Sequence, residues 1–187
     1  MQEEQENPWK VQRAKELYDN PWITVTEYGV ITPTGSEGIY GKVHFKNRAL
    51  AIVPVDDEGN TWLVGQYRFT LDEYSWEVPM GGGPLGEEPV LGAQRELKEE
   101  TGLVASDWQN LGRVHTSNSV TDEEGYSFLA RGLKQEATAW DDTEDLQIRK
   151  LPLSEAIAMC RDGRITDCMS IVALLQAAEY IAKEEQS

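Results

Sequence analysis

Glu96, Glu99 and Glu100 stand at positions i, i+3 and i+4. In a helix that spacing places all three on one side. With a step of about 100° per residue, Val90, Ala93 and Leu97 form the apolar stripe of the same helix. By the same step Glu100 falls about 50° from the centre of the stripe, with Glu96 and Glu99 progressively further round. At least one carboxylate is therefore expected to point toward the core. Like charges four residues apart cost a few tenths of a kcal/mol, and carboxylates crowded near apolar surface resist ionisation unless cations neutralise them. Oxygen-only donors in a cluster suit hard divalent cations, Mg²⁺ or Mn²⁺. The plain alternative is a solvated acidic face in an acidic protein.

Just before this segment runs Gly81-Gly82-Gly83-Pro84-Leu85-Gly86. It is expected to be a loop that brings bare backbone to the helix start, where amide and carbonyl groups can approach a metal or a phosphate. Its Gly81-x-Gly83-x-x-Gly86 spacing also fits a dinucleotide-binding turn. That turn should open the first strand–helix unit of a parallel sheet, with an acidic residue closing the next strand. Here several strand-like segments come first, Pro84 interrupts the turn and the following strand ends in Val114-His115, so the dinucleotide reading is set aside. A second acidic cluster, Thr121-Asp122-Glu123-Glu124, lies in a polar loop further along.

The elements that must hold these residues can be read from pattern. Glu88 to Thr101 reads as a helix, with Pro89 in its first turn and Gly102 as its stop. Strands are expected at 22–31, 38–45, 49–55, 62–67, 75–78, 109–115, 127–133 and 146–151, from β-branched and aromatic runs bounded by turn residues. Ser154 is expected to cap a short helix to Arg161, and Thr166 or Asp167 a longer one to about Glu184. Residues 1 to about 20 are polar, anchored only at Trp9, and read as a frayed tail or a short helix. Several antiparallel strands with three helices make a single α/β sandwich.

Composition narrows the function classes. The 187 residues carry 33 acidic and 17 basic side chains, a net charge of −16. A non-specific nucleic-acid binder needs a basic face to displace counterions, so that class is set aside. An anionic substrate would need a cation between itself and such a protein. Cys160 and Cys168 cannot build a disulfide framework and are expected to stay reduced. The segment Met1 to Asn7 is acidic and polar, unlike a secretion signal, and no apolar run approaches the ~20 residues needed to cross a bilayer. A cytoplasmic protein is expected. His44 and His115 look isolated and structural.

Taken together the segment reads Gly81-x5-Glu87-x7-Arg95-Glu96-Leu97-x-Glu99-Glu100-x-Gly102-Leu103. It matches every fixed position of the Nudix box, and the chain resembles the Nudix hydrolase family, with weaker likeness from about Val53 to Glu179. The resemblance implies a Nudix-type α/β/α sandwich with a mixed sheet at 47–187, preceded by an N-terminal tail and antiparallel strand pair at 1–46 that serves as a dimerisation element. It implies that Glu96, Glu99, Glu100 and the Met80 carbonyl hold the metal, and that Arg95 aims a neighbouring glutamate. Glu87 would brace the loop against the helix start. Glu123, with Glu124 next in line, matches the catalytic glutamate that nucleotide-sugar members carry on a mobile loop; Glu99 and Arg95 complete the catalytic set. Arg68, in Gln66-Tyr67-Arg68, and Glu77, in Trp76-Glu77-Val78-Pro79, are placed on substrate, as are the backbone of Gly81 and Tyr28, which would stack on a base.

The activity implied is Mg²⁺-dependent hydrolysis of the pyrophosphate of a nucleoside diphosphate sugar by a homodimer. ADP-ribose and GDP-mannose are the substrate types closest in pattern. Where ADP-ribose relatives often carry Ser-Pro-Gly, this chain has Ser117-Asn118-Ser119, and Val120-Thr121 stands nearer the GDP-mannose type. A dinucleoside polyphosphate or a damaged nucleotide is the alternative substrate, and a non-catalytic nucleotide-sugar sensor the alternative class.

Overall fold

The computed structural model describes residues 6–136 and 146–186, so the first five residues of the expected tail lie outside it. The described chain divides into two units. The first holds residues up to 47 together with 117–123, and the second holds 48–116 and 124 onward.

In the first unit β1 (Lys10–Asp19), β2 (Ile23–Ile31) and β3 (Glu37–Phe45) form one antiparallel sheet in that order. The expected pair is β2 and β3. Residues 10–19, read from sequence as tail or helix, are instead a third strand. Every residue of β1 is exposed, so it lacks the alternating apolar signal of a half-buried strand, and backbone pairing to β2 holds it. Segment 117–123 runs along β3. The Val43 N–H donates to the Val120 carbonyl (2.9 Å), the Asp122 N–H to the Val43 carbonyl (3.2 Å), and Val43 bridges Thr121 in parallel.

The second unit contains a four-stranded mixed sheet, in the order β7 (Met80–Pro84), β4 (Asn47–Pro54), β9 (Glu124–Gln135), β8 (Leu103–His115). Strands β4 and β9 are parallel, β8 and β9 antiparallel. A second, antiparallel sheet orders β10 (Gln147–Pro152), β5 (Asn60–Arg68), β6 (Glu73–Glu77). Alternation along β4 builds the layers. Leu50 and Ile52 join Ala93 and Leu97 of α1 (Pro89–Thr101) in one cluster. Ala51 and Val53 join Met159 of α2 (Leu153–Arg161) and Ala173 and Leu174 of α3 (Cys168–Glu184) in the other. With helices on both faces of a mixed sheet, this is the expected α/β/α sandwich.

Helix α1 begins and ends where the pattern places it. Pro89 opens it, and Gly102 ends it at φ 69°, its N–H donating to the Lys98 carbonyl (2.8 Å). Two expectations are corrected. The glycine run is a strand over its first four residues: β7 lies at the sheet edge, where Pro84 costs no ladder bond. Its glycines are there for approach, since a Cβ at Gly83 would come 2.7 Å from Leu50 Cδ1. Helix α2 starts one residue before Ser154, with Pro152 in the capping position and no side-chain cap bond. Helix α3 does carry its cap, Asp167 accepting the Ser170 N–H (2.7 Å).

Candidate active site

The three glutamates on α1 meet three environments, graded as their angles from the apolar stripe require. Glu100 is 5% exposed, while the side chains of Glu96 and Glu99 are 16% and 44% exposed. Glu100 accepts the Met80 N–H (2.9 Å), tying the C-terminal turn of α1 to the first residue of β7. Glu96 lies against the bare Cα of Gly81, where a Cβ would fall inside its carboxylate. That contact explains glycine at the first position of the motif.

Arg95 organises the exposed side of this group. It donates to the Gly82 carbonyl (2.9 Å), Glu96 (3.1 Å) and Glu87 (3.3 Å), and stands 3.9 Å from Glu99. Partial burial disfavours its charge, but the hydrogen bonds to Glu96 and Glu87 outweigh this and raise its pKa. Among the described residues no three acidic, imidazole or thiol groups already converge as a cation's ligand set. Arg95 and the Met80 N–H engage the carboxylates instead. The donors themselves are all oxygens, and the cradle that Gly81 leaves beside Glu96 brings carboxylate against open backbone. The residues therefore fit a hard divalent cation.

Arg68 and Glu77, considered separately in the sequence, are partners. The Arg68 guanidinium donates from Nε to Glu77 Oε1 (2.9 Å) and from its second arm to Glu77 Oε2. Glu77 is 3% exposed, so its carboxylate is taken up with orienting Arg68. The Glu77 hydrogen bond, against the opposing pull of burial, holds the arginine's pKa above its usual value, with the charges of Asp167 and Glu100 adding to the effect.

The acidic loop divides into residues with different holders. Asp122 accepts from Lys42 Nζ (2.7 Å), His44 Nδ1 (2.8 Å) and the Phe45 N–H (3.1 Å). Burial pushes its carboxyl up, but these bonds outweigh it and leave the pKa lowered. His44 is thus a partner of Asp122, contrary to its isolated look in sequence, because β3 and the loop are 78 residues apart in the chain. Glu124 accepts from Arg48 Nε (2.7 Å) and lies 3.4 Å from Arg113. The Glu123 N–H donates to Thr121 Oγ1 (2.8 Å). Arg48 was missed in sequence. Its only local signal is a charged side chain at the start of the apolar run Ala49 to Val55. Tyr28 lies in the first unit, where it lines a cavity of about 550 Å³ with Trp9, Tyr40 and Lys42.

The NUDIX domain model matches residues 45–167, two-thirds of the chain. The chain belongs to the Nudix hydrolase family. The match spans the whole carboxylate helix and its glycine strand. A second model, the nucleoside diphosphate sugar hydrolase N-terminal domain, matches residues 9–43. The chain is 38% identical over 130 residues to an ADP-ribose pyrophosphatase of Mycobacterium tuberculosis, a match covering 68% of this chain and 63% of that one. It is 32% identical over 141 residues to an ADP-ribose pyrophosphatase of Bacillus subtilis, covering 73% and 76%. The chain thus matches less than two thirds of the M. tuberculosis protein's length. A crystal structure of an ADP compounds hydrolase superposes with a TM-score of 0.87 at 21% identity, over 99% of this chain and 100% of that one, which shows the shared fold. Nudix hydrolases generally use a divalent metal. Among the described residues no helix is long and apolar enough to cross a membrane.

Proposed function

We propose that this Nudix hydrolase cleaves the pyrophosphate bond of a nucleoside diphosphate sugar, with Mg²⁺, to a nucleoside monophosphate and a sugar phosphate. The observation that carries the reading is the graded carboxylate helix, braced by the Met80 N–H and Arg95 and lying beside the Arg68–Glu77 pair. The N-terminal match to a nucleoside diphosphate sugar hydrolase domain, and the names of both bacterial relatives, support the substrate class.

Each residue has a part in this reading. Glu96, Glu99, Glu100 and the Met80 carbonyl would hold the cation, which supplies charge neutralisation at the pyrophosphate oxygens and Lewis acidity toward the attacking water. Arg95 keeps Glu96 and Glu99 aimed; the bare Cα of Gly81 admits the Glu96 carboxylate, and in this reading the Gly81 backbone meets substrate through its amide and carbonyl groups. Arg68, held in a fork by Glu77, presents its outer face to a phosphate or ribose, so Glu77 acts on substrate through Arg68. Glu123 takes the proton from water as it attacks phosphorus. Glu124, which accepts from Arg48 and lies against Arg113, is the next candidate along the loop. The aromatic cavity containing Tyr28 offers a ring face for a base.

The first unit has its own consequence. Trp22, in the bend before β2, and Ile39 of β3 are 67% and 69% exposed, too much apolar surface for a small sheet and its turn to leave wet. In this reading residues up to 46 pair two copies into a homodimer in the cytoplasm, where Cys160 and Cys168 stay reduced. A substrate panel tests the activity: ADP-ribose, GDP-mannose, a dinucleoside polyphosphate and an oxidised nucleoside triphosphate, each with Mg²⁺. Turnover is expected for the diphosphate sugars. Cleavage restricted to the polyphosphate or the damaged nucleotide would replace the substrate class, and binding without turnover would make the protein a sensor.

A further inference from the structure

Within the second unit, four consecutive residues join the antiparallel sheet to the mixed sheet, and each is held by a different element. Glu77 closes β6, its backbone paired with Val64 of β5 and its carboxylate with Arg68. Met80 opens β7, its N–H donating to Glu100 of α1 (2.9 Å). Val78 and Pro79, between them, belong to neither strand. Proline has no N–H to satisfy, and its carbonyl accepts the Ile52 N–H of β4 (2.9 Å). Val78 is 1% exposed, so its N–H needs an acceptor inside the protein. That acceptor is Ser170 Oγ of α3, 92 residues on, at 3.0 Å. Ser170 is itself fully buried, and the cap residue Asp167 takes its N–H (2.7 Å). On α3 it stands three, four and seven residues before Ala173, Leu174 and Ala177, all buried. A hydroxyl thus occupies a place where the helix otherwise presents apolar side chains to the core, at a desolvation cost that a hydrogen bond must offset. The charges of Asp167, beside Ser170, and of Glu100, beside Met80, both reach the Arg68 guanidinium.

We infer that Ser170 is a positioning residue: by holding the Val78 N–H it fixes the link that carries Glu77, which orients Arg68, at one end and Met80 at the other. One hydrogen bond then sets two parts of the site together, the guanidinium offered to a phosphate or ribose and the carbonyl offered to the cation. Without the hydroxyl the buried Val78 amide has no acceptor in place, and the link must move to find one. Planar peptide units and the fixed φ of Pro79 leave few torsions to absorb that movement. It is passed on to Glu77 and Met80, one and two residues away. The inference rests on the proposed roles of Arg68 and Met80.

The test uses the full chain, its thiols reduced, and whichever diphosphate sugar the wild type cleaves. Ser170→Ala removes the acceptor, and Ser170→Cys keeps nearly the same volume but offers sulfur, a weak acceptor. Both variants should lower kcat/KM and, in a calorimetric titration with Mg²⁺ alone, the affinity for Mg²⁺. Each loss should be roughly 10-fold or more, the scale for removing a residue that orients a metal ligand. Asp56→Asn, which weakens the β4–β5 turn, should keep both quantities at wild-type values. Wild-type values in either Ser170 variant, or a loss confined to one of the two quantities, would overturn the inference, as would the same double loss in Asp56→Asn. A further readout needs neither substrate nor metal. The Arg68 Nε–H resonance of the wild type should be protected from exchange by the Glu77 bond, and Ser170→Ala should shift it and speed its exchange. An unchanged resonance overturns the inference. If Ser170→Ala does not fold, Ser170→Cys is read in the same ways. If the wild type cleaves no diphosphate sugar, the functional reading fails by itself, and the Arg68 resonance still judges the role of Ser170.

Discussion

Glu100 has two tasks that a single substitution can separate. Its carboxylate holds the Met80 N–H and, in the proposed mechanism, a divalent cation. Glutamine keeps an accepting oxygen for the amide but gives up the charge. Glu100→Gln is expected to melt close to wild type while kcat falls by more than about tenfold and metal titration weakens. Glu123→Gln should lower kcat by roughly 10² to 10⁴, as for a lost general base, with metal affinity kept. A larger defect in Glu124→Gln than in Glu123→Gln would move the base by one residue. At this scale much was legible in advance. The angle of each glutamate on a helical wheel anticipates its burial, because α1 is regular and one face packs on β4. The Arg68–Glu77 and Arg48–Glu124 pairs were not legible. The first depends on the register of β5 on β6, the second on two strands whose partners lie 76 residues apart. Neither register can be read from local spacing.

The elements were legible where a pattern repeats and a stop signal follows, as in α1 with Pro89 and Gly102. They were not where tertiary contact overrides composition. Strand β7 is glycine-rich because Glu96 and Leu50 occupy the space its side chains would need. Strand β1 shows no alternation of apolar and polar residues because all of it is exposed, Val11, Leu17 and Tyr18 included. Two element-scale predictions follow from end chemistry. Asp167→Ala removes the cap of α3 and should cost about 1 kcal/mol, seen as a melting point lower by roughly 2–4 °C. In the β4–β5 turn, burial pushes the Asp56 carboxyl up, but hydrogen bonds from Lys150, Asn60 and Glu58 outweigh it and hold the pKa at about 2. A carboxyl depressed in the folded state adds stability that is present above its ordinary pKa of 3.8 and is lost as pH falls toward 2. Asp56→Asn should therefore be less stable than wild type at neutral pH and lose less stability between pH 4 and 2. Parallel acid limbs for the two proteins would contradict that account of the turn.

For the whole molecule, charge and assembly carry the argument. With a net charge of −16, a doubly anionic substrate is repelled at long range. Activity should then rise with moderate salt at saturating Mg²⁺, since screening weakens repulsion between distant charges. The exposed apolar residues of the first unit predict a dimer: light scattering should give twice the 21.0 kDa chain mass. A concentration-independent mass near 21.0 kDa would remove the homodimer. The central claim is that the carboxylate helix hydrolyses the pyrophosphate of a nucleoside diphosphate sugar. The most direct measurement is product identification after incubation with ADP-ribose and Mg²⁺, wild type and Glu100→Gln side by side. The account predicts AMP and ribose 5-phosphate in equal amounts from the wild type and a rate lower by more than about tenfold from the variant. It would be contradicted if the wild type formed neither AMP and ribose 5-phosphate from ADP-ribose nor GMP and mannose 1-phosphate from GDP-mannose, or if Glu100→Gln formed products at the wild-type rate.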